Sequence, residues 1–248
     1  MKDKKSSKKY SKNLGNTPKM RNFAKKLVKN KIVFRRGLNA MAYDLQSFLS
    51  YKQRLETCDT ENSTEVIYND SIVHAAMVYN QLFQRATRSE NKTVNMFCGS
   101  LSILRDSTEK KIAEERERIR PKEGTSDWAE WENFQPFYDV KNAVKDFFEK
   151  GGKLNVVLEN RGKSIEWEQM YPLLKDAYDK GKLYIGGLPI EIGLDHFTIV
   201  DNAYRCENSD ERKTAICCFN DKQVTDVLMK SFELLKRMAV PFAFEKTC

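Results

Sequence analysis

The stretch Leu194-Asp195-His196-Phe197-Thr198-Ile199-Val200-Asp201 reads as a β-strand, a run of β-branched and aromatic residues closed by Asp. A polar connection carrying Tyr204, Arg205 and Glu207 follows, and then a second strand from Lys213 to Phe219. From Asp221 the period changes: Val224, Val227, Leu228, Phe232, Leu235 and Met238 fall on one helical stripe. Asn220, with Gln223 three residues on, is the expected N-cap pair. Everything from Leu194 to Ala239 therefore reads as the closing part of an α/β sheet.

Upstream, the same logic repeats. Val140, Val144, Phe147 and Phe148 make an apolar stripe on a helix from Asp139 to Lys150, which Gly151-Gly152 ends. Leu154-Asn155-Val156-Val157-Leu158-Glu159 is a nearly continuous apolar run, the pattern of a central parallel strand. Glu159 and Arg161 stand at its carboxyl end, where open α/β sheets place ligands. Thr93 to Leu101 reads as the first strand, turning at Gly99 into the charged pair Arg105-Asp106, and Leu183 to Ile185 as a later one, broken by a turn at Gly186-Gly187. Between them, Ser164 to Tyr178 reads as a helix divided by Pro172.

Two further segments have weaker patterns. Glu109 to Arg120 is almost wholly charged, with Ile112 and Ile119 too sparse for a core face, so an exposed helix or mobile insertion is expected. Trp128, Trp131, Phe134, Phe137 and Tyr138 sit among Asp127, Glu130 and Glu132, which favours core or lid packing over stacking on bases. Ahead of the sheet, helices are expected over Leu38 to Leu55 and Thr64 to Ala86, joined by a polar link at Glu56 to Ser63. Two helices there can cover the sheet or form a dimer face.

Of the 248 residues, 40% are hydrophobic, enough for a sizeable core. The formal charge of +8 is unevenly placed. Residues 1–36 hold fourteen Lys and Arg against one acid, Asp3 (+13), which leaves 29 basic and 34 acidic residues elsewhere (−5). The first twenty residues are nearly free of apolar side chains and are expected to be disordered. From Met20, Phe23, Leu27 and Val28 lie among Lys25, Lys26, Lys29, Lys31, Arg35 and Arg36. A basic amphipathic segment suits nucleic acid, an anionic lipid surface or bare solvent; nucleic acid is preferred, because Lys and Arg neutralise phosphates without needing a pocket.

Six cysteines, at 58, 98, 206, 217, 218 and 248, have no paired two-residue spacing, and His74 and His196 are the two histidines. No metal site and no cofactor is expected. Adjacent Cys217 and Cys218 point to opposite faces of a strand, so reduced, buried thiols are expected. With no run of 18 apolar residues, no transmembrane segment is expected either, and the expected location is cytoplasmic. No phosphate-binding P-loop, dinucleotide-binding or serine-hydrolase motif is present.

The order strand, Asp, polar loop, strand ending in Phe219-Asn220-Asp221 and helix with Phe232 resembles the closing half of a phospholipase-D-like domain. That family's motif is His, any residue, Lys, four residues, Asp, in which His attacks phosphorus or protonates the leaving group and Lys holds phosphate oxygens. Aligning the family's Asp on Asp201 puts His196 at the Lys position and Leu194 at the His position. Aligning its His on His196 puts Thr198 at the Lys position and Ala203 at the Asp position. Either way the motif is incomplete, which argues against ordinary phosphodiester hydrolysis.

The resemblance thus implies an α/β phospholipase-D-like half-domain, its central, mostly parallel sheet flanked by helices, over residues 91–240. A helical extension over 37–90 and the basic tail 1–36 precede it, and a C-terminal tail, 241–248, follows. The expected function is a catalytically degenerate accessory module binding nucleic acid through its tail, with His196, Asp201, Tyr204 and Arg205 lining a phosphate groove. By family analogy it belongs to a bacterial multi-protein assembly of the phage-defence kind. The alternative is a dimeric phosphodiesterase or nuclease in which His196 of two subunits supplies the nucleophile and the acid.

Overall fold

A computed structural model describes residues 43–159, 169–208 and 214–242. The chain divides into Met1–Met41 and Ala42–Cys248, and the described residues belong to the second unit. The basic segment with Lys25 to Arg36, together with Arg161, Ser164, Lys213 and Cys248, lies outside them.

Among the described residues eight strands form one sheet: β1 (Ile67–Asn69), β2 (Thr93–Cys98), β3 (Lys153–Leu158), β4 (Leu183–Gly187), β5 (Phe197–Val200), β6 (Ala203–Glu207), β7 (Ala215–Cys218) and β8 (Val240–Pro241), in the order β1-β7-β6-β5-β2-β3-β4-β8. The helices are α1 (Leu45–Thr60), α2 (Ile72–Arg88), α3 (Asp106–Arg118), α4 (Asp127–Asn133), α5 (Pro136–Glu149), α6 (Tyr171–Asp179) and α7 (Lys222–Met238). The fold is α/β with a central sheet flanked by helices. Its parallel part is confined to β2, β3 and β4; the other pairings are antiparallel, which corrects the expectation of a mostly parallel sheet. Among the described residues, the strands that pair in parallel are consecutive ones joined by helical crossovers, β2 to β3 and β3 to β4. The β5–β6 turn is too short for anything but an antiparallel neighbour.

Register decides the two faces. Val94 pairs with Leu154 and Met96 with Val156, and Leu154 and Val156 pair with Leu183 and Ile185, so these six line one face. They belong to the main core together with α2 and α5 residues such as Val78, Leu82, Val144 and Phe147. The opposite face is crossed by α7, whose Met229 accepts from Asn95 and whose Lys236 donates to Asn155 at 2.9 Å. Phe232 is the fully buried anchor of that helix.

Several local readings change for identifiable reasons. The expected helix from Thr64 contains β1, an edge strand paired with β7, before Ser71 caps α2 by accepting from the His74 amide. The polar link at Glu56 to Ser63 is largely the last turn of α1. Asp59 is buried there, accepting from Gln81 and Arg85 at 2.5 Å each and also from Arg88, which ties α1 to α2.

The segment expected to be an exposed helix or mobile insertion is a helix, α3, but a packed one: Ile112 on it and Ile119 at its C-cap are buried. Its Arg116 lies 3.9 Å over the Trp131 ring and donates to the Trp131 carbonyl at 2.9 Å, while Trp131 Nε1 donates back to the Arg116 carbonyl at 2.9 Å. Trp131, Phe134 and Phe137 are core residues, as the acidic surroundings suggested. Gly186-Gly187 is not a turn but the end of β4, and a Cβ on Gly186 would lie 2.6 Å from the Tyr184 hydroxyl. The cap of α7 is Asp221, which accepts from the Val224 amide at 3.1 Å; Asn220 instead donates to the Asn62 carbonyl at 3.0 Å.

Cys58, Cys98, Cys206, Cys217 and Cys218 are free and buried. No helix among the described residues is long and apolar enough to cross a membrane. Because Phe232 is fully buried and anchors the helix crossing that face, Phe232→Ala is expected to cost about 3–5 kcal/mol. A urea unfolding titration with unchanged slope and a lower midpoint checks it.

Candidate functional site

The site begins with register. The β5–β6 hairpin sets Phe197 opposite Cys206 and Thr198 opposite Arg205, and one step further the Glu207 amide donates to the His196 carbonyl at 2.8 Å. Alternation then puts His196, Thr198, Arg205 and Glu207 on one face of the sheet. What the sequence presents as a polar connection is β6, a buried strand whose charges are matched to one another.

His196 is held from both sides. Its Nδ1 lies 3.0 Å from Glu207 Oε2 and its Nε2 lies 3.1 Å from Glu159 Oε2. Glu159, at 0% exposure, follows β3; its amide donates to the Cys98 carbonyl and its Oε1 accepts from the Gly193 amide at 3.2 Å. Both ring nitrogens face acceptors, so both bonds are made together only when both nitrogens carry hydrogen or one carboxyl is protonated. Gly99 permits the arrangement, since a Cβ there would lie 3.1 Å from His196 Cε1.

Arg205 completes the cluster. Its Nη1 donates to Glu207 Oε1 at 2.8 Å and to the Tyr79 hydroxyl at 3.3 Å, and its guanidinium carbon lies 5.0 Å from the Tyr79 ring centre. Thr198 donates to the same hydroxyl at 3.5 Å. Burial alone would raise the Glu207 carboxyl, but the His196 hydrogen bond and the Arg205 charge outweigh it and bring it down to about 2. Burial acts against the Arg205 charge too, yet Tyr79 and Glu207 hold its affinity for the proton above the ordinary value. The Cys98 thiol beside the site is pushed up to about 12 by burial, which removes it as a thiolate nucleophile.

Beside these groups lies a pocket of about 210 Å³, lined by Tyr79, Met96, Cys98, His196, Glu207 and residues 99–103. No cluster of three or more His, Cys, Asp and Glu arranged to hold a metal ion occurs among the described residues.

Of the four groove residues expected from the sequence, the structure brings two together. His196 and Arg205 meet through Glu207. Arg205 is 6% exposed, with Nη1 committed to Glu207 and Tyr79, so it does not present a bidentate fork to a phosphate. Tyr204 alternates to the opposite face of β6. Asp201 sits in the β5–β6 turn at φ 50°, accepting from Ser89 at 2.9 Å. It lies at the far end of β5, five residues or about 16 Å of strand from His196.

Glu159 was legible as a residue at the end of a central strand, but nothing in the sequence paired it with His196. Tyr79 carries no local signal at all, because it lies on α2 and meets the site only through packing.

No family model matches the chain, and no curated protein matches it significantly. Solved structures to which it is similar include TrmBL2, an archaeal chromatin protein with a novel mode of DNA binding, at 13% identity and TM-score 0.41, covering 90% of this chain and 66% of that one. A phospholipase D family member, Nuc from Salmonella typhimurium, is similar at 14% identity and TM-score 0.39, covering 72% of this chain and 96% of that one. Polyphosphate kinase from Porphyromonas gingivalis is similar at 12% identity and TM-score 0.41, covering 78% of this chain and 30% of that one. The chain thus spans just under two thirds of the chromatin protein and under a third of the kinase. The family that the closing stretch resembles is represented among them. TM-scores below 0.5 carry no functional argument, which rests on the side chains above.

Glu207 makes the site sensitive to acid in a defined window. A carboxyl lowered from 4.5 to about 2 on folding contributes stability that is complete above pH 4.5 and is lost as pH falls towards 2. Glu207→Gln is expected to flatten that part of the stability–pH curve and, by leaving Arg205 buried without its counter-charge, to cost roughly 3–5 kcal/mol at neutral pH. Urea midpoints measured from pH 2.5 to 7 for both proteins check this.

Proposed function

We propose that this chain is a catalytically degenerate phospholipase-D-like domain that serves as a nucleic-acid-binding accessory module. One observation carries the degenerate half of the reading: both nitrogens of His196 are engaged by carboxylates, at 3.0 and 3.1 Å, and the family's lysine is missing in either alignment of the motif, replaced by His196 in one and by Thr198 in the other. An imidazole attacks phosphorus through a free lone pair, and Glu159 covers the nitrogen that Glu207 leaves. The nucleic-acid half rests on the +13 charge of residues 1–36, which supplies phosphate contacts that Arg205 does not. Lys25, Lys26, Lys29, Lys31, Arg35 and Arg36 form the contact segment in this reading. As an accessory module, the chain works with a protein partner in a multi-component assembly.

The test is binding and cleavage of labelled DNA and RNA, single- and double-stranded, at 50 and 200 mM salt. Removing residues 1–36 is expected to abolish salt-dependent binding without lowering thermal stability, and His196→Ala to leave binding intact. Binding that survives the deletion unchanged would refute the tail assignment.

One feature favours a second reading. The carboxylate of Glu207 on Nδ1 is the arrangement that orients a catalytic imidazole. A dimeric phosphodiesterase using His196 of two subunits would then need Glu159 to release Nε2 on substrate binding. Cleavage that disappears in His196→Ala would establish this reading and displace the first.

A further inference from the structure

The pocket beside His196 has a chemistry of its own, distinct from phosphate recognition. Among the described residues its lining contains no Lys or Arg, and its charged carboxylate is Glu207, which His196 and Arg205 keep ionised at neutral pH against the opposing effect of burial. An anionic ligand entering there meets Glu207. A ligand that donates hydrogen bonds is accepted instead.

Glu207 has capacity to accept more. A carboxylate offers about four lone-pair positions. Arg205 uses one on Oε1 and the imidazole one on Oε2, which among the described residues leaves a position on each oxygen. The Glu207 side chain is 22% exposed, unlike Glu159 at 1%, so it is the reachable carboxylate. Two adjacent acceptors suit a planar ligand carrying two adjacent N–H donors. The remaining walls are apolar or weakly polar: Tyr79, Met96, Leu101 and Ile103, with Ser100 and Ser102 on the loop after β2. At about 210 Å³ the pocket is smaller than the roughly 300–1,000 Å³ of drug-sized sites, which limits it to a single ring system.

We propose that this pocket binds a guanine-type base, with the ring N–H and the exocyclic amine donating to the two oxygens of Glu207 and the ring lying against Tyr79, Met96 and Ile103. This deepens the nucleic-acid reading, on which it rests: the tail supplies sequence-independent phosphate contacts and the pocket reads one unstacked base.

The test uses the full chain and three nucleosides or nucleotides in isothermal titration: guanosine, inosine (which lacks the exocyclic amine) and guanosine 5′-monophosphate. Guanosine is expected to bind, inosine at least about tenfold more weakly through loss of a charge-assisted bond, and the monophosphate no more tightly than guanosine. Glu207→Gln disturbs the buried cluster, so Ser102→Tyr is the cleaner variant. Ser102 is exposed at the mouth and uses its carbonyl to accept from Thr108 and the Arg105 amide, which a larger side chain leaves in place. It is expected to block guanosine at an unchanged melting temperature.

No guanosine binding, equal binding of inosine, or unimpaired binding by Ser102→Tyr would each overturn the assignment. A monophosphate much tighter than guanosine would mark an anion site, and competition by arginine amide as strong as guanosine would mark a guanidinium site; either outcome overturns it too. DNA binding through residues 1–36 is measured on the same preparation. Its persistence without guanosine binding sinks the pocket alone, and its absence with guanosine binding intact sinks the tail alone.

Discussion

A carboxylate with no exposure to water governs this structure. Stripping Glu159 of solvent carries a penalty of several kcal/mol unless other groups replace the water, and His196 and the Gly193 amide do so. His196 is then committed to a second carboxylate, Glu207, which commits Arg205, which in turn needs the Tyr79 hydroxyl. The chain of obligations links the end of β3, the start of β5, the end of β6 and the middle of α2. Each partner is placed by a different element, so the cluster forms only when the sheet and α2 are assembled.

The same bonds that satisfy the buried charges decide what the site is able to do. His196 has both nitrogens engaged and Arg205 is turned onto Glu207, so these side chains form one hydrogen-bonded cluster. The pocket that remains offers a carboxylate and apolar walls. Its character is that of an acceptor of donors.

A second buried carboxylate performs a purely structural task elsewhere. Asp59 draws Gln81, Arg85 and Arg88 of α2 onto the last turn of α1. Buried acids in this chain are paired wherever they occur in the two clusters, in keeping with the cost of leaving one alone. The two clusters differ in reach: the first links the sheet to α2, and the second links α1 to α2.

The sequence by itself determined the α/β class, the apolar run of β3, the amphipathic α7 and the burial of Trp131, Phe134 and Phe137, though not the exposure of Tyr138, because periodicity and burial are written locally in hydrophobic pattern. It also placed the charge asymmetry of residues 1–36, which is a matter of composition. It did not yield β1, whose short apolar run over Val66 and Ile67 reads equally as helix, nor β6, whose Arg205 and Glu207 look solvent-bound until their partners are known. Only the tertiary structure decided that Glu159 meets His196 across 37 residues, that Tyr79 receives Arg205 across 126, and that Asp201 belongs to a turn. The physical reason is that charge matching in a low-dielectric interior is a property of neighbours in space, and neighbours in space are fixed by strand register and helix packing.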